Sequence, residues 1–259
     1  MKIAYIGIDL FYSALEVLEA LGCEILEIFT CETDNITEFN VKIMDFAAKR
    51  NIPCKTSRIT RDDIARLLQN GCQLAVCGGY YFKIPADTNL PIVNIHPSLL
   101  PVGRGSWPMA LSILRGDKKS GVTIHKIAEG FDTGDILLQE DFEIAADETH
   151  KTFMEKANRL LPEMLKKLTL NFSSLWQNAV PQGDGEYWPM PTEEQYTVTP
   201  DMTAEQADLI LRAFFGYECI YAGNGEKIVI IGGRAVKCDK MSGKEFPLVD
   251  GYIKIQKNL

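Results

Sequence analysis

Three histidines are all the imidazole this chain carries, so a general base can be sought one residue at a time. His96 stands in Asn94-Ile95-His96-Pro97-Ser98-Leu99-Leu100-Pro101, where strand alternation puts Asn94 and His96 on one side of a strand end. An amide and an imidazole facing one cleft suit acyl transfer to an amine. The amide N–H donates to the oxyanion as it develops, and a second group takes the proton the amine sheds. Asp132, in Phe131-Asp132-Thr133-Gly134-Asp135, supplies a carboxylate that could orient His96 and favour its protonated form. The same residues admit a plainer reading, as a strand-end histidine held by hydrogen bonds and an Asp-Thr-Gly turn.

The other candidates carry less. His125 lies in the alternating run Val122-Thr123-Ile124-His125-Lys126-Ile127, where a structural or substrate-side role fits better than catalysis. His150, between Thr149 and Lys151 near a helix start, is expected to be solvated. Gly78-Gly79-Tyr80-Tyr81-Phe82 offers a flat ring an apolar, backbone-rich wall, or is simply a turn in the core. Trp107, Tyr187 and Trp188 offer either stacking surfaces for a base or core packing. Gly7 has no GxGxxG context, Gly103 to Gly105 lacks a Walker lysine, and no GxSxG elbow occurs, so dinucleotide binding, nucleotide hydrolysis and serine hydrolase chemistry lose support. No histidine and cysteine spacing suggests a metal site.

These residues need a scaffold, and the chain reads as alternating strands and helices. Apolar runs at Lys2–Gly7, Glu24–Thr30, Leu74–Cys77 and Ile92–Ile95 predict buried strands. Between them, Ser13–Leu21, Val41–Arg50 and Arg61–Gln69 predict helices, the last with Asp62 and Asp63 favourably placed in its first turn. A helix over Trp107–Arg115, strands over Gly121–Ile127 and Ile136–Glu143, and a long helix over Thr152–Trp176 follow. The alternation implies a doubly wound α/β sheet with helices on both faces, whose ligands bind beyond the carboxyl ends of the strands. That edge holds Gly78, Asn94, His96 and Asp132.

A Pro- and Gly-containing connector from Pro181 leads to a boundary near Pro200, dividing the chain into residues 1–200 and 201–259. The second part opens Thr203-Ala204-Glu205-Gln206, a capping-box signature for a helix to Phe214. Short strands follow at Tyr217–Ala222, Lys227–Ile231, Ala235–Lys240 and Gly251–Gln256, which predict a small β-rich, partly OB-like subdomain.

Composition narrows the partners. With 35 acidic against 27 basic side chains the net charge is -8, a field that repels polyanions such as nucleic acid. Seven scattered cysteines with no CxxC pair fit a reduced, cytoplasmic setting. The chain opens with no apolar targeting segment, and no run approaches the roughly 18 apolar residues of a membrane span.

Taken in order, Asn94-Ile95-His96-Pro97-Ser98-Leu99-Leu100-Pro101, Arg104-Gly105, Gly121-Val122-Thr123-Ile124-His125 and Asp132-Thr133-Gly134-Asp135-Ile136-Leu137 resemble the 10-formyltetrahydrofolate-dependent formyltransferase family. The likeness runs to about Pro200 and is strongest from Asn94 to Leu137. It implies a formyltransferase-type Rossmann sheet without the dinucleotide fingerprint, 10-formyltetrahydrofolate as co-substrate, and no metal. It also implies a catalytic triad of Asn94, His96 and Asp132, in which Asn94 and protonated His96 stabilise the oxyanion of a tetrahedral intermediate. Asp132 would position His96 and assist proton transfer to the leaving folate nitrogen, while the first acceptor of the amine proton is open. By the same resemblance Gly78, Gly79, Tyr80, Tyr81 and Phe82, with Ala128, Glu129, Gly130 and Phe131, line the pteridine pocket largely through backbone groups. Arg104 and Gly105 match the loop beside the active site, and Arg104 joins the co-substrate-binding set.

The family divides by acceptor. The segments Thr203 to Phe214 and Lys227-Ile228 resemble the start of the small C-terminal domain shared by methionyl-tRNA and sugar formyltransferases, which disfavours glycinamide ribonucleotide. Against tRNA stand the net charge and the stretch Cys31 to Cys54, where a tRNA-binding member carries a basic insertion and this chain has Glu32, Asp34 and Glu38. The preferred acceptor is therefore the primary amine of an amino-deoxysugar nucleotide. Tyr187-Trp188-Pro189-Met190-Pro191-Thr192 resembles the family's aromatic-proline segment, with Met190 where arginine is common. Alternatives are methionyl-tRNA, a carrier-bound aminoacyl group, and a folate-binding protein that has lost activity. A homodimer is compatible with all of them.

Overall fold

A computed structural model describes residues 1–223, 225–238 and 246–256. The first half alternates as its apolar runs require: β1 (Lys2–Gly7), α1 (Tyr12–Ala20), β2 (Glu24–Phe29), α2 (Val41–Arg50), β3 (Cys54–Lys55), α3 (Arg61–Gln69), β4 (Leu74–Gly78) and β5 (Ile92–His96). Then come α4 (Pro108–Arg115), β6 (Lys119–Lys126), β7 (Ile136–Glu143) and the long α5 (His150–Gln177). The last part holds β8 (Thr197–Val198), α6 (Ala204–Ala213), β9 (Glu218–Gly223), β10 (Glu226–Ile231), β11 (Gly233–Lys237) and β12 (Gly251–Ile255).

Local chemistry sets several of these boundaries. Thr60 caps α3, accepting from the Asp63 N–H while the Asp63 carboxylate accepts from the Thr60 N–H. The predicted capping box of Thr203 and Gln206 likewise opens α6. Asn51 ends α2 in the left-handed region, φ 55°, a conformation Asn tolerates better than most residues. Of the expected strand Ala235–Lys240, the part to Lys237 belongs to β11, and Asp239 and Lys240 lie outside the described residues.

Seven strands form the main sheet in the order β3-β2-β1-β4-β5-β6-β7. β1 pairs in parallel with both β2 and β4, and β4 in parallel with β5, whereas β5 and β6 run antiparallel. The chain leaves β1 toward β2 and later returns to β1's other side as β4, so the carboxyl ends of β1 and β4 mark a topological switch point. Gly7 and Gly78 sit opposite each other there, and a Cβ on Gly7 would lie 2.2 Å from the Gly78 carbonyl oxygen. Ala4 and Ile6 of β1 join a core with Phe29, Ile64, Leu67 and Ile92. The alternate residues Ile3 and Tyr5 are buried too, so β1 is covered on both faces.

The chain divides into two compact units that interleave in sequence: residues 1–104, 121–142 and 156–187 form one, and 105–120, 143–155 and 188–259 the other. The first contains most of the seven-stranded sheet. The second contains α4, α6 and two small sheets, β10-β9-β8 and β11-β12. Among the described residues, no helix is long and apolar enough to cross a membrane.

Candidate active site

The sequence-predicted chemistry gathers within the first unit. β5 carries Asn94 and His96 at its carboxyl end, and its antiparallel register sets Asn94 directly opposite His125 and His96 opposite Thr123. Residues opposed across an antiparallel pair present their side chains to the same face, so His125 is delivered beside Asn94 by strand register alone. Asp132 comes from the turn between β6 and β7 and holds a left-handed backbone, φ 54°. This is an uncommon state for a residue with a Cβ, and it aims the carboxylate back at the strand ends.

One oxygen sits at the centre. Asp132 Oδ1 lies 3.3 Å from Asn94 Nδ2, 3.6 Å from His96 Nδ1 and 3.5 Å from His125 Nε2. Asn94 Nδ2 is also 3.2 Å from His125 Nε2. Carbonyl oxygens only accept, which settles which ring nitrogen of each histidine holds a proton. His96 Nε2–H donates to the Gly103 carbonyl at 2.8 Å, and His125 Nδ1–H donates to the Lys126 carbonyl at 2.8 Å. Each ring therefore turns its other nitrogen toward Asp132, and the Asn94 amide lies within hydrogen-bond distance of His125 Nε2.

His96 is 5% exposed, and burial lowers its pKa from the ordinary value; Asp132 and the Gly103 hydrogen bond oppose that shift, while His125 adds to it. Desolvation thus outweighs the opposing effect of the carboxylate at this depth. Burial also pushes the Cys77 thiol well up, with the Asp132 charge adding to the effect, so Cys77 is a neutral wall.

Beside this cluster lies a cleft open to solvent, with a cavity volume of about 90 Å³. Its lining includes Tyr80, Phe82, Ala128, Glu129, Gly130, Phe131, Asn94, Asp132 and His125. Tyr80 and Phe82 meet edge to face at 5.5 Å between ring centroids and form its apolar side. Gly78, Gly79, Tyr81 and Arg104 do not line it. Gly78 faces inward, where a Cβ would stand 2.9 Å from Phe11 Cβ and 3.0 Å from Tyr5 Oη. Tyr81 is half exposed. The Arg104 guanidinium is held by the chain itself, donating to Gln182 Oε1 and the Gly183 carbonyl, each at 3.0 Å.

One further expectation changes, and the readings left open for the aromatic residues and His125 narrow. His150 is buried rather than solvated, its ring 4.8 Å from Tyr217 and 6.0 Å from Trp107 within the second unit. Trp188 is buried with the Arg115 guanidinium over its ring, and Trp107 packs against Phe214 and Tyr217, so both are packing residues; Tyr187 is exposed. His125 belongs to the polar cluster itself. Its signal was present in the sequence as a histidine on an alternating strand, but the register that pairs it with Asn94 was not. Gln182 had no signal of its own, because its partners lie far away along the chain.

Comparison with known proteins bears on family and fold. A family model described as Formyl transferase matches residues 37–169. A methionyl-tRNA formyltransferase of Coprothermobacter proteolyticus is 32% identical over 271 aligned residues, covering 99% of this chain and 86% of that protein. A protein of the same name from Lactobacillus gasseri is 31% identical over 175 residues, 64% of this chain but only 56% of the relative's length. Among solved structures, a sugar N-formyltransferase from Shewanella sp FDAARGOS_354 superposes with a TM-score of 0.69 at 19% identity, covering 89% of this chain and 96% of that one. HypX from Aquifex aeolicus in complex with tetrahydrofolic acid gives 0.71 at 15% identity, covering 98% of this chain and 43% of HypX. At those identities the two structures speak for the fold.

Proposed function

As the chain belongs to the formyl transferase family, we propose that it moves a formyl group from 10-formyltetrahydrofolate to the primary amine of an amino-deoxysugar nucleotide. The observation that carries this reading is the convergence of Asn94, His96 and His125 on one Asp132 oxygen at the wall of an aromatic-sided cleft. The cleft suits a flat ring, with Tyr80 and Phe82 on one side and the backbone of Ala128 to Phe131 offering amide and carbonyl groups. Its likeness to a fold seen with tetrahydrofolic acid supports the choice of donor.

The donor supplies an acylated nitrogen whose formyl carbon accepts the amine. A C–N bond forms to the incoming amine, the bond to the folate nitrogen breaks, and the amine's proton ends on that nitrogen. Asn94, which lines the cleft, donates its amide N–H to the formyl oxygen as negative charge develops there. Asp132 also lines the cleft, whereas His96 sits behind it, so the carboxylate is the group that meets the amine proton and returns it to the leaving nitrogen. His96 responds to that change of charge from behind, its Nδ1 facing the same carboxylate oxygen while Gly103 fixes the ring.

For the acceptor, the net charge of -8 and the acidic residues Glu32, Asp34 and Glu38 favour a small molecule over a polyanion. A fold spanning 96% of a sugar N-formyltransferase supports the same class. Methionyl-tRNA is the rival, favoured by the names of the sequence relatives. Incubation with 10-formyltetrahydrofolate and a panel of amino-deoxysugar nucleotides, methionyl-tRNA and glycinamide ribonucleotide, followed by folate absorbance, decides between them. Turnover with a sugar amine is expected, and turnover with tRNA alone would replace the acceptor. A reduced, cytoplasmic setting fits the seven free cysteines.

A further inference from the structure

We propose that Gln182 is the positioning residue of this site, an amide clamp that fixes the Asp132 turn and joins it to the loop that orients His96. The inference rests on the formyl-transfer reading for its kinetic consequences, but not for its structural ones. Gln182 Nε2 donates to two main-chain carbonyls at once, Asp132 O at 2.9 Å and Gly134 O at 2.5 Å. Both hydrogens of one amide are thereby spent on the turn that carries the central carboxylate. Its Oε1 accepts from Arg104 Nε at 3.0 Å.

Several further bonds show that this segment is built as a strap. Val180 and Ile136 exchange both backbone hydrogen bonds at 2.8 Å, anchoring one end against β7 just beyond the turn. The Arg104 N–H donates to the Glu186 carbonyl at 3.2 Å, and the Arg104 guanidinium reaches the Gly183 carbonyl, anchoring the other. Arg104 directly follows Gly103, whose carbonyl holds His96 Nε2. One short stretch, from Val180 to Glu186, therefore grips both halves of the His96 and Asp132 pair: the turn of the carboxylate and the loop that fixes the imidazole.

The need for a clamp lies in the backbone. Asp132 holds φ at 54°, a region in which a residue with a Cβ is strained, so the turn relaxes unless surrounding bonds over-determine it. Two carbonyls converging on one amide nitrogen do this. Relaxation would carry Oδ1 away from three partners that all stand between 3.3 and 3.6 Å from it. A displacement of about 1 Å at a reacting group costs on the order of 100-fold in rate.

Two substitutions separate the clamp from its anchor. Gln182→Leu removes donor and acceptor, while Gln182→Glu keeps the acceptor for Arg104 and loses both donors to the turn. Both variants should lower kcat by about 10- to 100-fold, with KM for 10-formyltetrahydrofolate within about 2-fold of the parent. The second readout needs no activity: the NMR titration of His96 among only three histidines. The Asp132 charge raises the His96 pKa, so a carboxylate that drifts away should move the His96 titration to lower pH in both variants. Parental kcat together with an unmoved His96 titration in either folded variant overturns the proposal. A Glu variant that behaves like the parent while Leu fails shows an anchor for Arg104 only, and overturns it too, as does a rise in KM with His96 unmoved. If the parent formylates no amine, the proposed function fails and the His96 titration alone decides whether Gln182 positions Asp132.

Discussion

His96 and Asp132 face each other through Nδ1 and Oδ1 at 3.6 Å, while the opposite nitrogen of the imidazole is already committed to the Gly103 carbonyl. The ring thus has one free position, and it looks at the carboxylate. Neither partner acts alone: Asp132 opposes the lowering that burial imposes on the imidazole, and the ring is the neighbour that answers a change in the carboxylate's charge.

Removing either partner should therefore abolish most of the turnover and leave the fold intact. His96→Asn and Asp132→Asn are each expected to lower kcat by about 100- to 10,000-fold, the range for a positioned acid–base group. Stopped assays of formylated product, beside circular dichroism on the same samples, check this. Near-parental rates in a folded variant would remove the pair from the chemistry.

His125 supplies a separate prediction. Its Nε2 lies within hydrogen-bond distance of Asn94 Nδ2 at 3.2 Å, and its Nδ1–H is fixed by the Lys126 carbonyl, so the ring sets which way the Asn94 amide turns. His125→Phe fills the same buried space without the ring nitrogens. It should lower kcat by about 10- to 100-fold through a misdirected oxyanion donor. Steady-state kinetics showing only a raised KM would mean that His125 touches substrate instead.

How much of this was legible in the sequence follows from how local each signal is. The bounds of α2 and β1 could be read directly, since they depend on neighbours within a few residues and on breaks such as Asn51-Ile52-Pro53. Asn94 and His96 were found by alternation along one strand. Asp132 needed the ordered resemblance, because nothing nearby marks an Asp-Thr-Gly turn as more than a turn. His125 required the β5–β6 register, Gln182 required partners about fifty residues away, and His150 looked solvated because burial at a helix start is decided by what packs on it.

That buried histidine makes stability depend on pH. Burial holds the His150 pKa down at about 4, against an ordinary value near 6.5, and its Nε2 has no hydrogen-bond partner. The unfolded chain binds this proton more readily than the folded one, so stability falls as pH drops through the window from 6.5 to about 4. The loss is about 3 kcal/mol for the full window. Urea unfolding of the parent and of His150→Phe across that range checks it. The variant should lose this slope, and an unchanged slope would assign acid sensitivity elsewhere.

Gly134 should tolerate no side chain. A Cβ there would stand 1.9 Å from the Lys126 carbonyl oxygen, and backbone atoms cannot swing aside as a side chain can. Gly134→Ala is expected to cost about 1–3 kcal/mol of stability and to disturb the turn whose carbonyl Gln182 holds. Thermal unfolding reads the first effect, and kcat in the surviving folded fraction reads the second. A variant with parental Tm and kcat would show that this turn is free to move.

Formyl transfer itself is tested most directly by mixing the protein with 10-formyltetrahydrofolate and an amino-deoxysugar nucleotide, following folate absorbance, and weighing the product by mass spectrometry. An N-formylated sugar nucleotide is expected to form in step with free tetrahydrofolate with the parent, and at a rate lower by orders of magnitude with Asp132→Asn. Absence of transfer to any sugar amine, or transfer that Asp132→Asn leaves unchanged, would contradict that expectation.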